Sequence, residues 1–129
     1  MAIYSIGHDI VENNRIGSLL EKHGIQFINK VLSESEKEIF ATKTDQIKYL
    51  AKRYAAKEAF AKACGTGLRD PILMPKICIC NDALGKPFFE LDKLIIDYLS
   101  QIGVNQWHLS ISDEITLSSA FVILEKRHE

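Results

Sequence analysis

The stretch Arg53-Tyr54-Ala55-Ala56-Lys57-Glu58-Ala59-Phe60-Ala61-Lys62-Ala63-Cys64-Gly65-Thr66-Gly67 constrains the fold more than any other part of the chain. Alanine is the strongest helix former, and glycine most readily takes the left-handed conformation that ends a helix. The segment predicts a long helix from about Asp45 to Cys64, stopping on a Gly-Thr-Gly loop. In such a helix Glu58 and Lys62 lie one turn apart on one face, where they can pair or share a ligand. A carboxylate beside an ammonium suits metal-assisted phosphate chemistry. An exposed helix with an ordinary Glu–Lys pair and a glycine cap explains the same residues. The loop is neither a Walker motif nor a Rossmann fingerprint, because it follows a helix instead of joining a strand to a helix N-terminus. Phosphate would be held here by side chains such as Lys62 and Arg53, with small glycines letting a ligand approach the backbone.

With 129 residues the chain fits one domain, 1–129, whose core can form without staples. A formal net charge of −1 argues against a general nucleic-acid or membrane-surface binder. Locally, Lys43, Lys48, Lys52, Arg53, Lys57 and Lys62 outnumber Asp45 and Glu58, which predicts an anion-attracting patch. Three cysteines, an odd number without a secretory signal, fit a reducing cytoplasm. No apolar run approaches membrane-spanning length, so a soluble cytoplasmic protein is expected.

The remaining pattern predicts strand, helix, helix, long helix, hairpin, helix, strand. Residues 2–7 alternate as a strand, after which Gly7-His8-Asp9 supplies a flexible residue and two potential metal ligands or caps. Ile16, Leu19, Leu20 and His23 fall at helical spacing, closed by Gly24. Ser33 with Glu36 forms a capping-box pattern opening a helix through Phe40. Residues 76–81 and 86–91 predict a hairpin turning at Asp82-Ala83-Leu84-Gly85, with Pro87 near the start of the return strand. A helix over 91–102 precedes strands at 107–112 and 120–125, which can pair through the Asp113-Glu114 region. Helices and antiparallel strands without a βαβ rhythm indicate an α+β domain, its strands packed on the long helix.

Cys78-x-Cys80 alone is a weak zinc signal, and a strand cysteine in the interior explains it better. Asp9 and Glu58 are hard oxygen ligands that suit magnesium, an ion needing only one or two carboxylates when waters and substrate phosphates complete its shell. No serine elbow or cysteine–histidine nucleophile is evident, so a nucleophile would belong to the partner.

Four ordered segments, Ile6-Gly7-His8-Asp9-Ile10-Val11-Glu12-Asn13-Asn14-Arg15, Arg53 to Gly67, Asn81-Asp82-Ala83-Leu84-Gly85-Lys86-Pro87 and His108-Leu109-Ser110-Ile111-Ser112-Asp113, resemble the signatures of the holo-acyl-carrier-protein synthases. They span nearly the whole chain, and its length is similar to the single-domain bacterial phosphopantetheinyl transferases. The resemblance implies transfer of 4′-phosphopantetheine from coenzyme A to a serine of apo-acyl carrier protein, in fatty acid biosynthesis, with adenosine 3′,5′-bisphosphate as the second product. It implies magnesium held by Asp9 and Glu58, with catalysis by Asp9, Glu58 and Lys62. Lys62 would neutralise the pyrophosphate or protonate the leaving group, and either Glu58 or a water beside it would take the serine proton.

By the same resemblance, Arg53, Lys57, Lys62 and His108 surround the coenzyme's phosphates and adenine, and Gly65, Thr66, Gly85 and Pro87 line its cleft. Arg15, with Lys22 further along its helix, would contact the acidic carrier protein. A homotrimer with active sites between subunits is implied too, and the alanines from Ala55 to Ala63 would allow close helix or subunit approach. His8 departs from the aliphatic or hydroxyl residue frequent at that position but leaves Asp9 intact. The competing reading is a non-catalytic module that docks coenzyme A or a carrier protein. Two acids beside a pyrophosphate argue against it, since they repel an anion unless a metal intervenes.

Overall fold

The computed structural model describes residues 1–127. Strand β1 (Ala2–Glu12) leads into helices α1 (Asn13–His23), α2 (Ile25–Val31), α3 (Glu34–Thr42) and α4 (Gln46–Cys64). A 3-10 turn at Met74–Lys76 precedes the hairpin β2 (Ile77–Asn81) and β3 (Pro87–Leu91), followed by α5 (Lys93–Gln101), β4 (Val104–Asp113) and β5 (Leu117–Lys126). The first and last two strands make one antiparallel sheet in the order β1-β5-β4, and β2 pairs with β3 separately. This is the α+β arrangement the pattern predicts.

Local chemistry accounts for most helix boundaries. Ser33 and Glu36 form the full reciprocal capping box of α3. The Asp45 side chain accepts from the Lys48 N–H to open α4, and Gly65, at φ 78°, closes it. Consecutive positions Ala55, Ala56 and Lys57, and again Ala59, Phe60 and Ala61, are all buried. Neighbours on a helix point about 100° apart, so α4 is enclosed on several sides. Its alanines are thus used within the chain, letting the sheet and the other helices approach closely.

The strand before α1 extends five residues beyond the expected 2–7, because β1 pairs with β5 from Ala2 through Glu12. Gly7 is therefore mid-strand, and flexibility is not its purpose. A Cβ built on it would lie 1.9 Å from the Ala59 carbonyl oxygen and 2.8 Å from the Ala63 nitrogen. Only glycine lets β1 lie this close to α4. The Ser5 hydroxyl donates to the Ala63 carbonyl on the same face.

Helix α2 was not anticipated. Gly24 both ends α1 and precedes α2, and α2 has no side-chain N-cap bond that could mark it. The face of the sheet directed at α4 carries buried Val11, Ala120, Val122, Leu124 and Leu109, whereas the opposite face exposes Ile6, Ile10 and Phe121.

Candidate active site

Strand alternation puts Asp9 on the same face of β1 as Gly7, two residues on. With Gly7 pressed against Ala59 and Ala63, Asp9 comes beside the α4 turn that carries Glu58 and Lys62. Lys62 does not stay on the helix face it shares with Glu58. Its Nζ lies 2.9 Å from Asp9 Oδ1 and donates to the His8 carbonyl at 3.1 Å. Glu58 is half-buried, and its pKa is raised, first by desolvation and then by the facing Asp9 carboxylate. Lys62, the Tyr54 hydroxyl and Arg15 pull it the other way. Asp9, Glu58 and Lys62 thus form one cluster, in which Lys62 pairs with Asp9 and not with Glu58 as the helical spacing allowed.

Among the described residues no group of three His, Cys, Asp or Glu side chains is arranged to hold a metal ion. The Asp9–Glu58 pair still fits magnesium: two hard carboxylates on rigid elements suffice where substrate phosphates and waters supply the other ligands. Cys78 and Cys80 are free, half-buried thiols beside the Ser33 and Ser35 hydroxyls and the Glu90 carboxylate respectively. Burial and the neighbouring Cys78 push the Cys80 pKa up to about 11.

The expected basic patch breaks apart in the fold. Lys48 and Lys52 turn to Asp113, at 3.3 and 4.0 Å, and Lys43 lies over the Tyr49 ring. Arg53 and Lys57, which the sequence places in that patch, are both buried. Lys57 Nζ donates to the Val31 carbonyl, the Met74 carbonyl and Glu36 Oε1 at 2.6, 2.9 and 2.5 Å, which uses all three of its donors. The expectation of Lys57 as a coenzyme-binding cation therefore meets a fully enclosed ammonium, committed to Glu36. Glu36 also accepts from the backbone N–H of Ser33 and of Ile79. One carboxylate thereby ties α3, α4 and β2 together. The sequence marks Glu36 only as a helix-capping residue, and its burial depends on contacts far along the chain.

Arg53 lies over Tyr49, 4.5 Å from the ring centroid, and its guanidinium donates to Asn81 Oδ1 at 2.9 Å. Its Nε lies 3.7 Å from Glu36 Oε2 and is left without a hydrogen-bond partner. Asn81 in turn donates to the Gly85 carbonyl at 3.0 Å. Arg53 is thus linked through Asn81 to the turn that carries Gly85 and leads to Pro87, the first residue of β3. At the other end of α4, Gly65 and Thr66 form the cap and loop, with the Thr66 hydroxyl donating to the Gly67 carbonyl.

Arg15 and Lys22 are exposed on α1, and Arg15 lies 5.9 Å from the Tyr54 ring centroid. Beside them runs a groove of about 720 Å³ whose lining includes Leu19, Phe27, Tyr54, Glu58, Leu73 and Met74. Sequence reasoning missed this groove, which needs α2 and the 3-10 turn to form its walls. His108 lies apart from the cluster. It is on β4, two strands from β1, on the sheet face turned away from α4, with Nε2 2.5 Å from Glu125 Oε1. His8 is on that same outer face, 5.5 Å from the Phe121 ring, and both histidines line a pocket of about 430 Å³.

Known proteins share this fold. The profile of the 4′-phosphopantetheinyl transferase superfamily matches residues 5–121. A holo-[acyl-carrier-protein] synthase of Nitrosomonas eutropha is 50% identical over 124 residues, covering 96% of this chain and 99% of that protein. The crystal structure of the Neisseria meningitidis holo-[acyl-carrier-protein] synthase superposes with a TM-score of 0.93 at 44% identity, covering 96% of this chain and 99% of that one. A Bacillus anthracis holo-(acyl-carrier-protein) synthase, solved in complex with CoA (3′,5′-ADP), superposes at 0.81 with 32% identity, covering 98% and 100%. With the Gly7–Ala59 contact bringing Asp9 to Glu58 and Lys62, and likeness extending over almost the full length, the chain belongs to the 4′-phosphopantetheinyl transferase superfamily.

Proposed function

We propose that this protein is a holo-acyl-carrier-protein synthase, which moves 4′-phosphopantetheine from coenzyme A to a serine hydroxyl of apo-acyl carrier protein and leaves adenosine 3′,5′-bisphosphate. The observation that carries this reading is the meeting of Asp9 and Lys62 at 2.9 Å, with Glu58 facing them. The serine oxygen forms a bond to the β-phosphorus of coenzyme A, and the bond from that phosphorus to the bridging oxygen breaks. The electron pair leaves with adenosine 3′,5′-bisphosphate. Magnesium bound by Asp9 and Glu58 would draw off the charge that develops on the phosphate oxygens. Lys62, half exposed on its flexible stem, neutralises the diphosphate and the leaving phosphate. Glu58, or a water held beside it, takes the serine proton.

In the same reading Gly65, Thr66, Gly85 and Pro87 line the coenzyme cleft. Arg53 holds the Gly85 turn through Asn81, and Lys57 contributes by fixing α4 through Glu36. Arg15 and Lys22 meet the acidic carrier protein on the α1 side of the groove.

A homotrimer completes the site. His108 lies on the outer sheet face and cannot face the Asp9 cluster of its own chain, so a neighbouring copy would supply it. The exposure of Ile6 (57%), Ile10 (56%) and Phe121 (42%) on that face supports burial against another subunit. Among the described residues no helix is long and apolar enough to cross a membrane. Residence in the cytoplasm, with the carrier protein, belongs to the same proposal.

Equilibrium dialysis with labelled coenzyme A tests the metal-dependent transferase against a docking module. Binding that strengthens with magnesium and loses that response in Asp9→Asn supports the transferase. Binding of equal strength with or without the ion contradicts it.

A further inference from the structure

Lys62 makes its ion pair across to β1 although an acid stands one turn back on its own helix. The two partners differ in mobility. Asp9 is on a paired strand with its side chain 16% exposed, whereas the Lys62 side chain is 53% exposed on four rotatable bonds. A half-exposed ion pair contributes at most about 1 kcal/mol, so the ammonium can be drawn off by a stronger anion.

An ammonium donating to Asp9 Oδ1 at 2.9 Å stands where a cation would approach that oxygen. It also offsets the repulsion between Asp9 and Glu58 in the free protein. Their mutual repulsion favours any arriving cation, so the ammonium and a divalent ion answer the same electrostatic need.

We propose that Lys62 is a tethered counter-ion which occupies Asp9 in the free protein, competes there with a divalent cation, and moves to the diphosphate when coenzyme A binds. This rests on the reading of coenzyme A as substrate. Because ligands that share one switching group affect each other reciprocally, coenzyme A strengthens cation binding and the cation strengthens coenzyme A binding. A lysine serving only as a fixed positive background would weaken cation binding by the same factor whether or not coenzyme A is present.

Manganese binding to the full chain, followed by paramagnetic resonance of the free ion, separates these cases. It is measured with and without coenzyme A for the wild type, Lys62→Met and Asp9→Asn. Lys62→Met is expected to bind manganese about fivefold more tightly than wild type without coenzyme A, the upper end for a pair of this exposure. With coenzyme A present that advantage disappears, so the coupling between the two ligands shrinks by a similar factor. An equal effect of Lys62→Met in both conditions, or no effect in either, overturns the proposal while leaving the transferase reading intact. Manganese affinity unchanged in Asp9→Asn overturns both, because then the cation does not bind at Asp9.

Discussion

Gly7 of β1 lies against Ala59 of α4 so closely that no side chain fits between them, a Cβ on Gly7 standing 1.9 Å from the Ala59 carbonyl oxygen. The obstructing atoms are backbone, which cannot turn aside. Gly7→Ala is expected to cost at least about 3 kcal/mol, the top of the usual overpacking range. Pushing β1 off α4 also moves Asp9 from Glu58 and Lys62. Urea unfolding measures the first effect and metal affinity of the remaining folded protein the second. A variant of wild-type stability and affinity would show that the two elements are not locked at this point.

The Lys57–Glu36 pair makes a second stability prediction. Lys57→Met leaves Glu36 as a buried charge and takes the donor from the Val31 and Met74 carbonyls. Breaking such a pair from one side costs about 3–5 kcal/mol. Surface substitution of Lys43→Met, whose ammonium lies over an aromatic ring, serves as the control and should shift stability by no more than about 1 kcal/mol. Equal, small losses for both variants would mean that Lys57 is not committed to Glu36.

Desolvation, reinforced by Asp9, raises the pKa of Glu58 in the folded protein. A carboxyl with a raised folded pKa contributes stability that is present below its unfolded pKa and lost as pH rises through its folded pKa. At about pH 7 the ionised Glu58 therefore costs stability, and Glu58→Gln is expected to melt at a higher temperature than wild type. The difference should narrow at about pH 4, where wild-type Glu58 is protonated in the folded chain. Glu58→Gln should also lower turnover by about 100-fold or more, as expected when a general base is removed. Melting curves at the two pH values check the sign. A Glu58→Gln protein less stable at neutral pH would contradict the strain assigned to this carboxylate.

The outer sheet face gives a prediction about assembly. Ile10→Lys combined with Phe121→Lys places charges on a face whose apolar side chains point away from the core, so the fold should survive. Sedimentation of wild type as a trimer and of the double variant as a monomer, with loss of transfer, is the expected result. An unchanged sedimentation coefficient would remove this face as the subunit contact.

What the sequence discloses follows the range of the forces involved. The capping box of Ser33 and Glu36, the Gly65 stop and the hairpin turning at Gly85 are local, and each is where the pattern indicates. The second half of β1 is fixed by pairing with β5, more than a hundred positions away, and so escaped notice. Gly7 looks like a hinge until α4 is laid against it. The same holds for Arg53 and Lys57, which read as surface cations because their partners Asn81, Glu36, Val31 and Met74 are all distant in sequence. Asp9, Glu58 and Lys62 could be picked out as candidates because their chemistry, hard acids with a cation, selects them without knowledge of the packing.

Intact-mass analysis of apo-acyl carrier protein incubated with this protein, coenzyme A and magnesium tests the central claim most directly, with Glu58→Ala and a chelator as controls. The account predicts that the carrier gains the mass of one phosphopantetheinyl group, and that the gain is lost in both controls. A carrier of unchanged mass, in the presence of folded protein that binds coenzyme A, would contradict it.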